Sequence, residues 1–277
     1  MNASFLSTAT RSSGPGLSTP LLGAGLAQPR QGPARLQAVW ARHAEEVEAA
    51  QRLRWRVFTQ EMGARLRPPE GTPPGVDCDL FDAHCEHLLV RTLPTDDRPS
   101  EVVGTYRVLT PAAAGRVGGL YSDTEFDLVR LARLRPHMAE LGRSCTAPGW
   151  RQGGVMLMLW SSLGSFMQQN GFERVVGCAS VPMLDGGQLA ADLWRMLKVT
   201  HLAPVDEQVR PRLPLPVDRL QTGRAVEVPP LIKGYLKCGG KLLGPPAWDP
   251  DFGAADIPMM LRLCDLPESY RRRFIGA

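Results

Sequence analysis

No window of the sequence holds the roughly 18 to 20 consecutive apolar residues that a membrane-spanning helix needs, so the chain reads as soluble or peripheral. Metal-ligand spacings are missing too. The cysteines (Cys78, Cys85, Cys145, Cys178, Cys238, Cys264) form no C-x-x-C pair, and Cys85 near His87 lacks a second pair of ligands. No metal is expected, and scattered thiols point to a reducing, cytoplasmic setting. Ser144, Cys145, Ser161, Cys178 and Ser180 sit neither in G-x-S-x-G nor beside a histidine, so no serine or cysteine nucleophile stands out. Without a Walker motif or G-x-G-x-x-G after a strand, nucleoside triphosphates and dinucleotides fall away. A net charge of +4 does not by itself suggest nucleic acid.

What is present fits one core: 277 residues, 43% of them hydrophobic. Residues 1–35 are rich in Ser, Gly, Pro and Ala, lack periodicity and have no signal-peptide pattern; a disordered tail is expected there. The remainder, 36–277, reads as a single domain with an extended C-terminal part. Leu36 to Ala41 suggests a strand. AEEVEAAQRLRWRVFTQEMGA places Val47, Ala50, Leu53 and Val57 at helical spacing, with Gly63 as a stop. His87–Thr92 and Glu101–Thr110 read as a hairpin across a polar turn. A strand through AELGRSCT, a helix over Val155–Gln169, the strand Arg174–Val181 and a helix in LDGGQLAADLWRMLKV follow. The last 75 or so residues are proline-punctuated and suggest short strands and helical turns. The order predicts an α/β domain with a mixed sheet.

Four stretches put charge where a core would not. Arg54, Phe58 and Glu61 share one helical stripe; the bland reading is a solvated helix edge. Asp77-Cys-Asp-Leu-Phe-Asp82 carries more acids than a turn requires, although Asx turns account for some. Arg107 lies among apolar residues of a predicted central strand and needs a carboxylate partner. Glu140 and Arg143 are three apart on one strand, a spacing that sends side chains to opposite faces unless the strand is irregular. One extra residue, a β-bulge for which Gly142 is the natural place, would bring them to the same face. Together the four stretches supply acids for ammonium groups and arginines for a carboxylate, as an amino-acid substrate needs. A glycine loop, Arg151-Gln-Gly153-Gly154, opens the Val155 helix and offers free N–H groups to a phosphate or a phosphopantetheine arm.

Arg54-x-x-Val-Phe58, Asp79-x-x-Asp82, Val-Val-Gly before Arg107, and Glu140-Leu-x-Arg143 resemble the shared framework of two acyl-carrier-protein-dependent branches of the GNAT-fold acyltransferases. These are the acyl-homoserine-lactone synthases and the L-ornithine N-alpha-acyltransferases, or ornithine lipid synthases. The run from about Trp40 through VPPLIKGYLKCGGKLLGPPAWDPDFGAADIPMML is similar to the second branch throughout. The loop departs from the GNAT pyrophosphate pattern at Met156, which puts acetyl-CoA use in doubt.

The resemblance implies a mainly antiparallel sheet with a splayed parallel pair in its middle, flanked by helices. It implies transfer of a 3-hydroxyacyl chain from acyl carrier protein to the α-amino group of L-ornithine, giving lyso-ornithine lipid. No resident cofactor is implied beyond the donor's phosphopantetheine. Glu140 becomes the expected base or ammonium ligand, with Arg54, Phe58, Glu61, Asp79, Asp82, Arg107 and Arg143 at the substrate. Gly142, Ser144, Cys145, Arg151, Gly153 and Gly154 become the expected donor contacts. Arg130, Arg133, Arg135 and Arg151 are candidates for docking an acidic carrier protein, and the arginines of Tyr270–Phe274 for peripheral contact with the cytoplasmic membrane. The rival readings are an autoinducer-synthase-like enzyme and a non-catalytic protein keeping the same fold.

Overall fold

A computed structural model describes residues 35–151 and 154–275. The expected tail, apart from Arg35, and the loop residue Gly153 lie outside the described residues. The strands are β1 (Leu36–Trp40), β2 (Glu86–Thr92), β3 (Val102–Leu109), β4 (Phe126–Asp127), β5 (Met138–Thr146), β6 (Arg174–Pro182), β7 (Arg210–Pro211), β8 (Lys241–Leu242), β9 (Ala247–Asp249) and β10 (Ala254–Arg262). The helices are α1 (Ala44–Trp55), α2 (Pro111–Val117), α3 (Val155–Gln169), α4 (Gln188–His201), α5 (Val217–Leu220), α6 (Pro230–Lys237) and α7 (Glu268–Phe274). The main sheet runs β1-β2-β3-β5-β6-β10-β8, with β9 also on β10, while β4 and β7 pair separately.

All pairings of the named strands are antiparallel except β5 with β6, which is parallel only from Met138–Glu140 against Arg174–Val176. Past that point the two strands part. At the last close approach, Gly177 leaves room for the Leu141 carbonyl: a Cβ there would lie 2.4 Å from that oxygen. The mixed sheet with its splayed central pair is the architecture that the sequence resemblance implied.

Helices α1 and α3 cover opposite faces of the sheet: Arg91 of β2 bonds Glu46 of α1, whereas the adjacent Val90 shares the face of Gly104 that meets α3. Leu53, Val57 and Phe58 of the first side and Leu159 and Leu163 of the second belong, with Val103 and Tyr106 of β3 between them, to one core cluster. Helix α3 lies close on β3 because residue 104 is glycine; a Cβ there would be 2.4 Å from Val155 Cγ1. A second cluster joins Phe126, Leu128, Leu131 and Met138 to Leu109 and Met260, and a third packs α4 through Leu193, Trp194 and Leu197 against Ala255, Ile257 and Met259 of β10.

β10 is the main surprise. The proline-rich C-terminal part, expected as short pieces, supplies a nine-residue strand paired along all of β6. Pro258 argues against a central strand because it cannot donate to a ladder. Here it falls between Asp256, the last residue paired with β9, and Met259, the first paired with β8, so no partner strand lies opposite its nitrogen. Its carbonyl still accepts from Leu243 N at 2.8 Å.

Candidate active site

The bulge expected on β5 is there, one residue later than expected. Thr105 pairs with Cys145 and Arg107 with Gly142, so Tyr106 of β3 alone stands opposite Arg143 and Ser144 of β5. The residue with a left-handed backbone is Arg143 itself, at φ 50°, not Gly142. A non-glycine residue there is uncommon and marks a place where the fold over-determines the backbone. The bulge resolves the spacing of Glu140 and Arg143, because both now meet Tyr121. Glu140 accepts from the Tyr121 backbone N–H at 2.6 Å, and the Arg143 guanidinium carbon lies 4.8 Å from the Tyr121 ring centre. On its other side Arg143 lies 4.6 Å from the Phe252 ring centre, and its Nη2 donates to Asp79 Oδ2 at 3.0 Å.

Behind Arg143 runs an alternating network. Arg54, wholly buried in α1, donates Nε to Asp77 Oδ2 and Nη2 to Asp82 Oδ1, both at 2.7 Å. Arg107 donates to Asp79 Oδ1 at 2.7 Å and to Asp82 Oδ2 at 3.0 Å. Three aspartates thus face three guanidiniums, the condition under which buried charge is tolerated. Burial works to raise the Asp82 pKa, but Arg54 and Arg107 overcome it and hold the carboxyl well below the usual carboxylate range. Asp77 belongs to this set although the motif comparison of the sequence passed over it. Its presence in an acid-rich loop was the available signal.

Three sequence expectations need correction. Glu61 leaves the stripe it was to share with Arg54. The helix widens to a π-type turn over Arg56–Glu61, which retards the rotation, and Glu61 points out to pair with Arg151. Phe58 stays inside, edge-on to Phe252 at 5.6 Å between ring centres. Second, Glu140, expected as a base or an ammonium ligand, is buried with its carboxylate already hydrogen-bonded. It is 4% exposed, and besides the Tyr121 bond its Oε1 accepts from Ser122 N at 2.7 Å and from Ser122 Oγ at 2.5 Å. Three of its roughly four acceptor positions are therefore occupied. Burial raises its pKa against those hydrogen bonds. Third, the four docking arginines do not gather. Arg135 is bound to Asp123 at 2.7 and 2.5 Å, Arg130 and Arg133 border a depression with Asp206 and Glu207, and Arg151 pairs with Glu61 elsewhere.

In front of Arg143 lies a cavity of about 360 Å³. Its walls include Asp77, Asp79, Tyr121, Arg143 and Phe252, together with Glu125, Arg212, Trp248 and Asp249, which the sequence did not single out. The last two arrive on β9, a short strand in the stretch expected to hold short strands and helical turns. Glu125 ends the turn Tyr121–Thr124, and Glu140 holds that turn by its first two backbone N–H groups. Acids and guanidiniums share this cavity, so it can receive a molecule bearing both an ammonium and a carboxylate. Arg107 and Arg54 lie behind the wall, not in it.

On the donor side, Ser144 is half-buried and Cys145 buried on β5 beyond the bulge, where β6 has departed. Burial pushes the Cys145 thiol up to about 12, and the Cys178 thiol well above its ordinary value. Neither serves as a thiolate nucleophile at neutral pH. Gly154 precedes α3 with Arg151 exposed beside it.

The splayed parallel pair, the bulged strand at its mouth and a two-signed cavity beside it define an acyltransferase of the GNAT class. The family model described as Acetyltransferase (GNAT) domain matches residues 53–161, which run from the end of α1 through the hairpin and β5 into the first half of α3. Among solved structures, a CoA-dependent acyl-homoserine lactone synthase, BjaI, superposes with TM-score 0.50 at 18% identity, covering 88% of this chain and 92% of its own. FeeM, an N-acyl amino acid synthase from uncultured soil microbes, gives TM-score 0.50 at 13% identity over 84% and 93%. These two share the fold.

Sequence relatives are nearer. The L-ornithine N(alpha)-acyltransferase of Agrobacterium fabrum is 32% identical over 85% of this chain and 83% of its own. That of Rhodobacter capsulatus is 35% identical over 83% and 91%. The chain belongs to the L-ornithine N(alpha)-acyltransferase family.

Proposed function

We propose that this acyltransferase moves a 3-hydroxyacyl chain from the thioester of an acyl carrier protein to the α-amino group of L-ornithine, making lyso-ornithine lipid. Family membership supports the acceptor. The single structural observation that carries the reading is the mixed-charge cavity directly beside the parting of β5 and β6. In this reading the phosphopantetheine arm enters the slot past Leu141 and Gly177, alongside Ser144 and Cys145. The acyl carbonyl then stops at the Gly142–Arg143 bulge, where backbone N–H groups freed from the ladder stabilise the oxyanion. The acceptor lies in the cavity with its carboxylate towards Arg143 and Arg212 and its ammonium groups towards the acids.

The reaction is direct aminolysis. The ammonium loses a proton, nitrogen adds to the thioester carbon, and the tetrahedral intermediate expels the thiol. Arg54, Arg107 and the aspartates keep Arg143 in place. Glu140 keeps the Tyr121–Glu125 turn in place, which is a positioning role.

The test is release of free carrier-protein thiol when purified protein meets a 3-hydroxyacyl carrier protein and single amino acids. Thiol release that depends on ornithine, with the matching acyl-CoA a much poorer donor, is the expected result. Equal turnover of the acyl-CoA overturns the carrier-protein donor. No thiol release with any amino acid would favour a non-catalytic protein.

A further inference from the structure

We infer that Glu125 and Asp256, a carboxyl pair at the mouth of the β5–β6 opening, form the proton relay that deprotonates the attacking amine. The inference rests on the acceptor and donor reading above and gives that site its base.

The two side chains come from distant parts of the chain. Glu125 stands on the turn held by Glu140, and Asp256 is on β10, opposite Ser180 of β6. Their carboxyl oxygens and the Cys178 sulfur lie within 4.8 Å of one another, with Cys178 Sγ 3.5 Å from Glu125 Oε2. Cys178 is two residues beyond Val176, the last residue of β6 paired with β5. The pair therefore sits where the strands part, where the acyl carbonyl stops in the proposed donor path.

Asp256 is 4% exposed, yet its Oδ1 has no hydrogen-bond partner, and neither does Glu125 Oε1. Two such carboxyls within 4.8 Å of each other are costly unless a proton lies between them or a donor arrives. Burial, then the neighbouring Asp256, pushes Glu125 well above the usual carboxylate range, and burial also raises Asp256, by less. At neutral pH one acid thus faces one carboxylate. The other groups facing the pair are Asp249 on β9, which adds negative potential, the protonated Cys178 thiol on β6, Tyr121 on the turn, and Arg143 on β5.

Glu125 lines the cavity and Asp256 lies behind it. As the ammonium approaches, Glu125 takes one of its protons and passes its own to Asp256 Oδ1. The neutral nitrogen forms the C–N bond. Collapse of the intermediate breaks the C–S bond, and the departing thiolate takes the second nitrogen proton. The pair then returns its extra proton to solvent, and the charges balance. Cys178 is not consumed.

The experiment is steady-state kinetics of wild type, Glu125→Gln and Asp256→Asn at saturating acyl carrier protein, from pH 6.5 to 9.5. At pH 7 the relay predicts kcat reduced by roughly 10²- to 10⁴-fold in each variant, with ornithine KM within about threefold. The deficit shrinks towards high pH, as solution itself removes the ammonium proton. A kcat within about threefold of wild type at pH 7, a deficit constant across pH, or a change confined to KM overturns the relay. Wild-type kcat, followed down to pH 5, supplies a second measurement that survives a variant failing to fold: it should fall on acidification, as the pair takes up its second proton. Activity flat down to pH 5 overturns the inference. A wild type that acylates another amino acid and not ornithine displaces the acceptor reading alone, and the same variants on that acceptor then decide the relay.

Discussion

Asp82 stands 3% exposed at its side chain between Arg54 and Arg107, at 2.7 and 3.0 Å. Asp82→Asn leaves both guanidiniums buried beside a neutral group. At pH 7 this should lower unfolding stability by about 3–5 kcal/mol, the usual cost of breaking a buried pair. Because the folded-state pKa is depressed, the ionised form is favoured by folding. The contribution is complete above the unfolded carboxylate pKa and is lost as pH falls through the lower folded value. The gap between wild type and Asp82→Asn in denaturant titrations should therefore narrow on acidification below about pH 4. A gap unchanged between pH 7 and pH 3 would contradict the network. Glu140 behaves differently. Glu140→Gln swaps an acceptor of three hydrogen bonds for a group with an unwanted donor, so the Tyr121–Glu125 turn loosens. Its kcat and Tm should fall together, with a loss independent of pH; a loss that vanishes at high pH would return Glu140 to the role of base.

At the scale of elements, the two glycines of the opening have opposite tolerances. Gly177 abuts the Leu141 carbonyl with no space for a methyl group, whereas a Cβ on Gly142 meets nothing within 4 Å and needs no left-handed backbone. Gly177→Ala should cost about 1–3 kcal/mol through overpacking against backbone, and Gly142→Ala should leave stability within about 0.5 kcal/mol of wild type. Thermal unfolding of the two variants checks this; equal destabilisation would contradict the geometry at the parting strands. Much of this framework was legible in the sequence, because strand and helix periods mark β2, β3, α3 and β6 within a residue or so. The acid–arginine network was legible for a physical reason too, since buried arginine demands a partner. What was hidden came from the long C-terminal part. Pro258 masks β10, whose partners change just where the proline stands, and only that pairing brings Asp249 to the cavity and Asp256 behind it. Glu125 was hidden because a single acid in an irregular connection carries no period.

At the scale of the whole molecule, two of the four arginines first suspected of docking a carrier protein are held by acids, Arg135 by Asp123 and Arg151 by Glu61, while Arg130 and Arg133 border one depression with Asp206 and Glu207. No helix among the described residues is long and apolar enough to cross a membrane. The C-terminal helix α7 turns Phe274 into the core and leaves Arg271, Arg272 and Arg273 exposed, a surface suited to anionic lipid. Binding to vesicles with anionic lipid should therefore weaken from 0.05 to 0.5 M salt, and Arg271→Glu with Arg273→Glu should abolish it; salt-independent binding would exclude this face. The proposed reaction has one defining chemical outcome, which nitrogen of the acceptor receives the acyl chain. Fragmentation mass spectrometry of the product formed from 3-hydroxyacyl carrier protein and L-ornithine reads this directly. The account predicts an amide on the α-nitrogen with the side-chain amine free. An amide on the side-chain nitrogen, or no amide with ornithine at all, contradicts it.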